Sequence, residues 1–351
     1  MADRAVARAA GRTDPGHRAG RCPEPALGLE KRGAVGDSGG VGSAWRAAAK
    51  YLLYRGLGSA MGHVPESAAR GAVGGVVRAM SQYGGSTLAM NERHMRRVLA
   101  SECVAGVQPD AELVRRLSRR SYVEYGRYWL DGARLPYVPA PEVRARMMFG
   151  PGGEERVRAA AAAGRGVVMA LPHVGSWEWG GAWLALEDMA MTAVVERIEP
   201  ERLFAWFVDQ RARMGLTAVP LGDGSGTALI RALKSGAVVG LVSDRDLVGS
   251  GVEVEFFGER TTLPGGAATL ALRTGAVLLP VMVYSGPGNW HTGVVHPPLD
   301  TTRRGALRAD VQRLTQELAT VFEQFIGSRP EQWHLYQPNW PSDRAISQGD
   351  P

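Results

Sequence analysis

Gly166-Val-Val-Met-Ala-Leu171 runs directly into Pro172-His-Val-Gly-Ser-Trp-Glu-Trp-Gly180, and this stretch decides the fold class. The apolar run is too short for a buried helix and is bounded by a glycine and a proline, so it predicts a buried strand. Trp179 to Leu186 then begins a helix. A histidine at a strand end, followed by a carboxylate just inside the next helix, stands where α/β folds place their chemistry. On a regular helix, positions five apart point about 140° away from each other. His173 must therefore sit on the Pro172-to-Gly175 turn if its ring is to reach Glu178, with Ser176 as the helix N-cap. The plainer alternative is a loop histidine near a first-turn glutamate that favours the helix dipole.

Outward from this stretch the pattern repeats. Strands are expected at Met191–Val195, Thr217–Leu221, Val238–Ser243 and Ala276–Tyr284. Helices are expected at Glu201–Met214, Gly226–Ser235, Pro264–Arg273 and Arg304–Phe325. Gly251 to Phe257 alternates polar and apolar, as an exposed-edge strand or arm would. Repeated βα units predict an α/β fold with a mostly parallel central sheet covered by helices. Polar residues follow three of the strands: His173, then Glu196 and Arg197, then Asp244, Arg245 and Asp246. Strand carboxyl ends are where open α/β sheets hold ligands.

Before Pro139 the chain reads helical. Trp45, Leu52, Leu53, Leu57 and Met61 share one face of a first helix. Further amphipathic helices follow, the last carrying Tyr122, Tyr125, Tyr128 and Trp129. These aromatics either fill a core or, with the interspersed arginines, meet lipid headgroups. Residues 1–43 are rich in Gly, Ala, Arg and Pro and lack the apolar segment of a signal peptide, which predicts a disordered extension. The expected organisation is that extension, one domain over 44–341 (a helical portion at 44–136 and an α/β core at 140–341) and a tail at 342–351.

The 351 residues are 45% hydrophobic, enough for a large core, and carry a formal charge of +6. Of the basic residues only Lys31, Lys50 and Lys234 are lysines. A basic surface suits anionic lipids or phosphorylated cofactors. No nucleic-acid-binding module accompanies the charge. Two cysteines allow no CxxC metal site, no apolar run is long enough to span a bilayer, and no metal is expected. Gly222-Asp-Gly-Ser-Gly226 lacks the lysine of a P-loop and the glycine pattern of a serine-hydrolase elbow, so it is expected to be a turn. His291 and His296 have no carboxylate at ligand spacing and are expected to be core or surface residues.

Taken together, His173-Val-Gly-Ser-Trp-Glu178, Ser243-Asp-Arg-Asp246, Val252-Glu-Val-Glu-Phe-Phe-Gly258, Thr261-Thr-Leu-Pro-Gly-Gly266 and Arg329-Pro-Glu-Gln-Trp-His-Leu-Tyr336 resemble the lipid A biosynthesis lauroyl/myristoyl acyltransferase family. The histidine–carboxylate spacing alone is a weak signal, but five elements in order are a strong one. Tyr125-x-Arg127-Tyr-Trp-Leu130 and Arg134-Leu-Pro136 look like its branch of actinobacterial phosphatidylinositol mannoside acyltransferases. Glu178 departs from the aspartate associated with that branch. The resemblance covers roughly residues 44–341.

It implies transfer of a fatty acyl group from acyl-CoA, palmitoyl-CoA among the candidates, to the mannose 6-hydroxyl of phosphatidylinositol mannoside. The reaction would take place at the cytoplasmic face of the cell membrane, on a peripheral or monotopic protein at an anionic surface, with no cofactor beyond the co-substrate. Other acceptors in the same chemical range are another glycolipid or a lysophospholipid, and a non-catalytic lipid binder is the remaining alternative. His173 would be the base, with Glu178 or a residue such as Glu253 fixing its tautomer. Backbone N–H groups near Gly175, or an arginine, would meet the oxyanion. Arg211, with Arg213 as the alternative register, would contact phosphate or the acyl carbonyl. Glu196, Arg197, Asp244, Arg245 and Asp246 would contact substrate, Asp246 being equally suited to a strand-end polar network. Gly180, Gly181, Ala182 and Ala185 would leave room for an acyl chain or allow close helix–sheet packing.

Overall fold

The computed structural model describes residues 62–347 apart from 83, 84, 105, 107, 247 and 248, together with Gly56 and Gly58. The expected N-terminal extension and most of the helix expected around Trp45 to Met61 lie outside the described residues. Three helices come first: α1 (Glu66–Met80), α2 (Gly85–Ala100) and α3 (Ala111–Arg134). Asp110 caps α3 by accepting the backbone N–H of Leu113 at 2.7 Å, which satisfies one otherwise orphaned donor. The helix α4 (Ala140–Arg146) leads into the α/β core.

That core alternates as the apolar pattern dictates. Its elements are β1 (Met147–Phe149), α5 (Gly153–Ala162), β2 (Val167–Leu171), α6 (Trp177–Leu186), β3 (Met191–Val195), α7 (Glu201–Arg213), β4 (Thr217–Pro220), α8 (Ser225–Lys234) and β5 (Val238–Val242). There follow β6 (Val252–Phe256), β7 (Glu259–Leu263), α9 (Gly266–Thr274), β8 (Val277–Ser285), β9 (His291–Val295), α10 (Leu307–Ser328) and α11 (Pro341–Ser347). Seven strands form one sheet in the order β1-β9-β8-β2-β5-β3-β4, parallel throughout except where β9 meets β8. The short strand β1, on the β9 edge, carries no signal that distinguishes it from helix in the sequence.

Every residue of β2 is buried, as expected for a central parallel strand covered on both faces. Its alternation divides the core in two. Val168 and Ala170 join α8, α9 and α10 on one face, whereas Val167, Met169 and Leu171 join α6 on the other. Burying each of these valine or leucine side chains contributes about 1.5–3 kcal/mol.

Of the two alternatives expected for Gly251 to Phe257, the arm is the one formed: Val252–Phe256 pairs antiparallel with β7 as a separate two-stranded hairpin held against α10. One expectation is corrected here. The region after 341, expected to be a tail, begins with α11. Asp343 on this helix is fully buried, where it accepts from the His94 ring at 3.2 Å and from the backbone N–H groups of Asn339 and Trp340.

Candidate active site

The site assembles from strand register. β2 and β5 are adjacent, with Leu171 paired to Val242, and the Ser243 N–H donates to the Leu171 carbonyl at 2.8 Å. Two residues beyond each of these ends stand His173 and Asp244. The His173 ring nitrogen Nδ1 lies 2.5 Å from Asp244 Oδ1, and the His173 backbone N–H donates to Oδ2 at 3.0 Å. Asp244 is fully buried whereas His173 is one-third exposed. Burial pushes the Asp244 carboxyl upward, but the His173 charge and the converging donors outweigh it and hold the group below its usual range. A carboxylate can only accept, so Nδ1 carries a proton, and in the neutral form of the ring Nε2 presents its lone pair away from Asp244.

The turn that carries His173 is tightly fixed. Gly175 has φ +61°, and a Cβ there would come within 2.2 Å of the Val283 carbonyl oxygen. Only glycine fits that combination of left-handed backbone and close approach. The N–H groups of Val174, Gly175 and Ser176 donate to the carbonyls of Pro172, Gln332 and Val283. The oxyanion donors expected near Gly175 are therefore already engaged. Ser176 precedes α6 as expected, without a side-chain capping bond.

Glu178 does not reach His173, because α6 begins at Trp177 and turns the carboxylate elsewhere. Its Oε1 accepts the Tyr128 hydroxyl at 3.0 Å and Arg211 Nη2 at 3.3 Å. Burial raises the Glu178 carboxyl, with Arg211 and its hydrogen bonds opposing. The Tyr128 hydroxyl is held well above its usual range, by burial first and by the neighbouring Glu178 second. Arg211 lies 5.4 Å from the Trp177 ring centre and 5.9 Å from that of Phe207. Arg213, the alternative register, pairs outward with Asp209 at 3.0 Å on an exposed face.

Glu253 is also not the acid partner. It is exposed on the hairpin, and its backbone carbonyl accepts the Gln312 side-chain amide. The acid that faces His173 is Asp244, a residue expected from the resemblance to contact substrate. Arg245 pairs with Glu196 at 3.5 Å and donates to Gln337 at 3.0 Å, joining two strand ends at the rim. Arg197 is exposed beside Glu201 at 3.9 Å. Asp246 accepts the N–H groups of Gly249 and Gly251 and the Thr262 hydroxyl, so it braces the loop to the hairpin.

Tyr128, Trp333 and His334 also stand at the site, although nothing in their local sequence beyond the family-like segments that contain them marks them for it. Trp333 pairs antiparallel with Val174, and the His334 N–H donates to the His173 carbonyl at 2.8 Å. Burial pushes the His334 ring down to about 3, so it is neutral beside His173. His291 is a core residue, stacked on Trp179 at 4.1 Å and pushed down to about 2 by burial and nearby arginines. His296 is half-buried, its Nδ1 facing the Pro297 carbonyl. Gly222 to Gly226 forms the turn into α8, with the Ser225 hydroxyl donating to the Gly222 carbonyl at 2.8 Å. No grouping of side chains suited to a metal ion occurs among the described residues.

Against the α6 side of the sheet lies a narrow apolar cavity lined by Met169, Leu171, Trp177, Gly180, Gly181 and Val283, among others. A Cβ on Gly180 would meet only Val283, at 2.9 Å, whereas one on Gly181 would meet Leu216 and Met191. Gly180 and Gly181 thus line the cavity, and Gly181 also permits close packing of α6 on its neighbours.

Comparison with known proteins gives the family of this chain. The family model described as bacterial lipid A biosynthesis acyltransferase matches residues 44–342. The phosphatidylinositol mannoside acyltransferase of Mycobacterium tuberculosis (strain ATCC 25618 / H37Rv) is 37% identical over 306 residues, 86% of this chain and 90% of its own length. That of Mycolicibacterium smegmatis (strain ATCC 700084 / mc(2)155) is 37% identical over 290 residues, 80% of this chain and 88% of its own. The chain belongs to the bacterial lipid A biosynthesis acyltransferase family, and it is an acyltransferase.

Proposed function

We propose that this enzyme transfers a fatty acyl group from acyl-CoA to the mannose 6-hydroxyl of phosphatidylinositol mannoside at the cytoplasmic face of the membrane, with His173 as the general base. The observation that carries the chemistry is the one-third-exposed imidazole backed by a buried carboxylate at two adjacent strand ends. The acceptor is supported by the relatives named as phosphatidylinositol mannoside acyltransferases.

A sugar hydroxyl is a poor nucleophile at neutral pH. His173 Nε2 takes its proton as the oxygen attacks the thioester carbonyl. The tetrahedral intermediate then collapses, the C–S bond breaks, and the imidazolium returns the proton to the departing thiol. Asp244 remains anionic and stabilises the transient imidazolium. Arg245 and Glu196 stand at the rim, placed to meet sugar hydroxyls. The apolar cavity beside α6 receives the acyl chain.

The helical portion carries exposed residues suited to lipid. Val76 and Met80 on α1 and Trp129 on α3 are exposed, as are Arg115, Arg116, Arg119 and Arg120. Such apolar and cationic residues suit an anionic membrane surface. Among the described residues no helix is long and apolar enough to cross a membrane.

The test is acyl transfer from radiolabelled palmitoyl-CoA to a panel of acceptors in phosphatidylinositol-containing vesicles. Product on phosphatidylinositol mannoside, absent on lysophospholipid and lipid A precursors, is the expected result. Equal product on the other acceptors would overturn the assigned substrate. The cavity adds a prediction about the donor. Gly180→Leu should lower kcat/KM for palmitoyl-CoA by about tenfold or more relative to octanoyl-CoA, as the added carbons occupy chain space. An unchanged ratio would place the acyl chain elsewhere.

A further inference from the structure

Two indoles lie in one aromatic cluster beneath the site. Trp333 is fully buried, its ring centre 5.9 Å from Phe257, 6.3 Å from Phe256, 6.2 Å from Trp340 and 5.6 Å from the His94 ring. Trp340 is buried in the same cluster, and its Nε1–H donates to the Phe256 carbonyl at 3.0 Å. The Trp333 Nε1–H has a different destination: it donates to Asp244 Oδ2 at 2.8 Å. A buried indole N–H needs an acceptor, and here the acceptor is the carboxylate that faces His173.

Asp244 consequently receives donors on both oxygens. Oδ1 takes the imidazole, while Oδ2 takes the His173 backbone N–H and the Trp333 indole. Two donors on one oxygen fix the plane of the carboxylate, so that the other oxygen points at Nδ1. They also draw negative charge toward Oδ2, which moderates how strongly Oδ1 holds an imidazolium. The Asn339 side-chain amide donates to the Asp244 carbonyl at 3.3 Å, so the same C-terminal segment grips this residue twice. The titratable groups facing Asp244 are His173, on the turn after β2, and His334, on the C-terminal segment. Arg245, its chain neighbour, is directed to Glu196 and Gln337.

We propose that Trp333 is a positioning residue for the reaction, setting the orientation and charge of Asp244 through its indole N–H. This rests on the reading of His173 and Asp244 as base and orienting acid. Trp333→Phe deletes the N–H while keeping an aromatic ring. Trp340→Phe makes the same change in the same cluster without touching Asp244, and so reports the loss of packing and of a buried indole hydrogen bond away from the site.

The experiment follows the dyad's titration through the ring-carbon NMR signals of His173 in both variants of the full chain, beside kcat and the pH profile of kcat/KM. Trp333→Phe is expected to move the midpoint upward by about half a pH unit, because a carboxylate short of one donor holds the imidazolium more tightly. Its kcat should fall about tenfold. Trp340→Phe should leave midpoint and profile in place even if its melting temperature falls as far. An unmoved midpoint in Trp333→Phe, or the same shift in both variants, would overturn the proposal. The NMR titration reads the pairing whether or not His173 is the base, so failure of the base assignment shows separately, as undiminished turnover in His173→Ala.

Discussion

Asp244→Asn is expected to lower kcat by about 10³–10⁴, a loss comparable with that of His173→Ala, about 10²–10⁴. The carboxylate accepts the Nδ1 proton at 2.5 Å and so leaves Nε2 with its lone pair. An asparagine amide in the same place can donate to Nδ1 instead. The ring would then carry its proton on Nε2, where the acceptor hydroxyl must deliver one. Shape and burial are nearly conserved in this substitution, so the loss would be one of tautomer rather than of fold. Glu253→Gln supplies the contrast, since Glu253 is exposed on the hairpin, and its turnover should stay within about twofold of wild type. Single-turnover acyl transfer with the three variants measures the chemical step directly. If Asp244→Asn kept more than a tenth of wild-type activity, or if Glu253→Gln lost as much, the orienting acid would have to be sought elsewhere.

The second large effect is on stability. Arg211→Met should destabilise the protein by about 3–5 kcal/mol, because it strands the buried Glu178 carboxylate with Tyr128 as its remaining side-chain partner. Burial already raises Glu178, and Arg211 is the main influence holding it down. Removing the arginine raises it further. A carboxyl whose folded-state pKa lies above its unfolded value stabilises the fold at low pH, and that contribution is lost as pH rises through the folded value. The deficit of Arg211→Met should therefore be small in acid and grow toward neutral pH. Glu178→Gln combined with Arg211→Met should recover most of it, since no buried charge then lacks a partner. Urea denaturation at two pH values, for single and double variants, decides the matter. A double variant no more stable than Arg211→Met would show that Arg211 contributes by packing between Trp177 and Phe207 rather than by charge.

Much of this architecture is written locally. The apolar run before Pro172 specified a strand buried on both faces, and β2 is buried at every position. The βα alternation specified a parallel sheet, and the strand ends specified where polar chemistry would gather. Helical periodicity in α7 placed Arg211 and Arg213 about 200° apart, so only one of them could turn inward. Gly175, between the histidine and the helix, marked a turn that no other residue could make.

The identity of the acid opposite His173 belongs to the tertiary structure. Periodicity tells which face of a strand is buried, but not which strand lies beside it. His173 and Asp244 are 71 residues apart, and β3 and β4 are formed between them before β5 returns to pair with β2. That return sets Leu171 opposite Val242 and so brings the two side chains together. Glu178, only five residues away, is turned toward Tyr128 and Arg211 by the helix it opens. Trp333 arrives from beyond α10 to close the network. Local sequence fixed the elements and their faces because these depend on short-range dihedral and burial preferences. The order of the strands, and with it the pairing at the site, was decided by which arrangement buries all those faces at once.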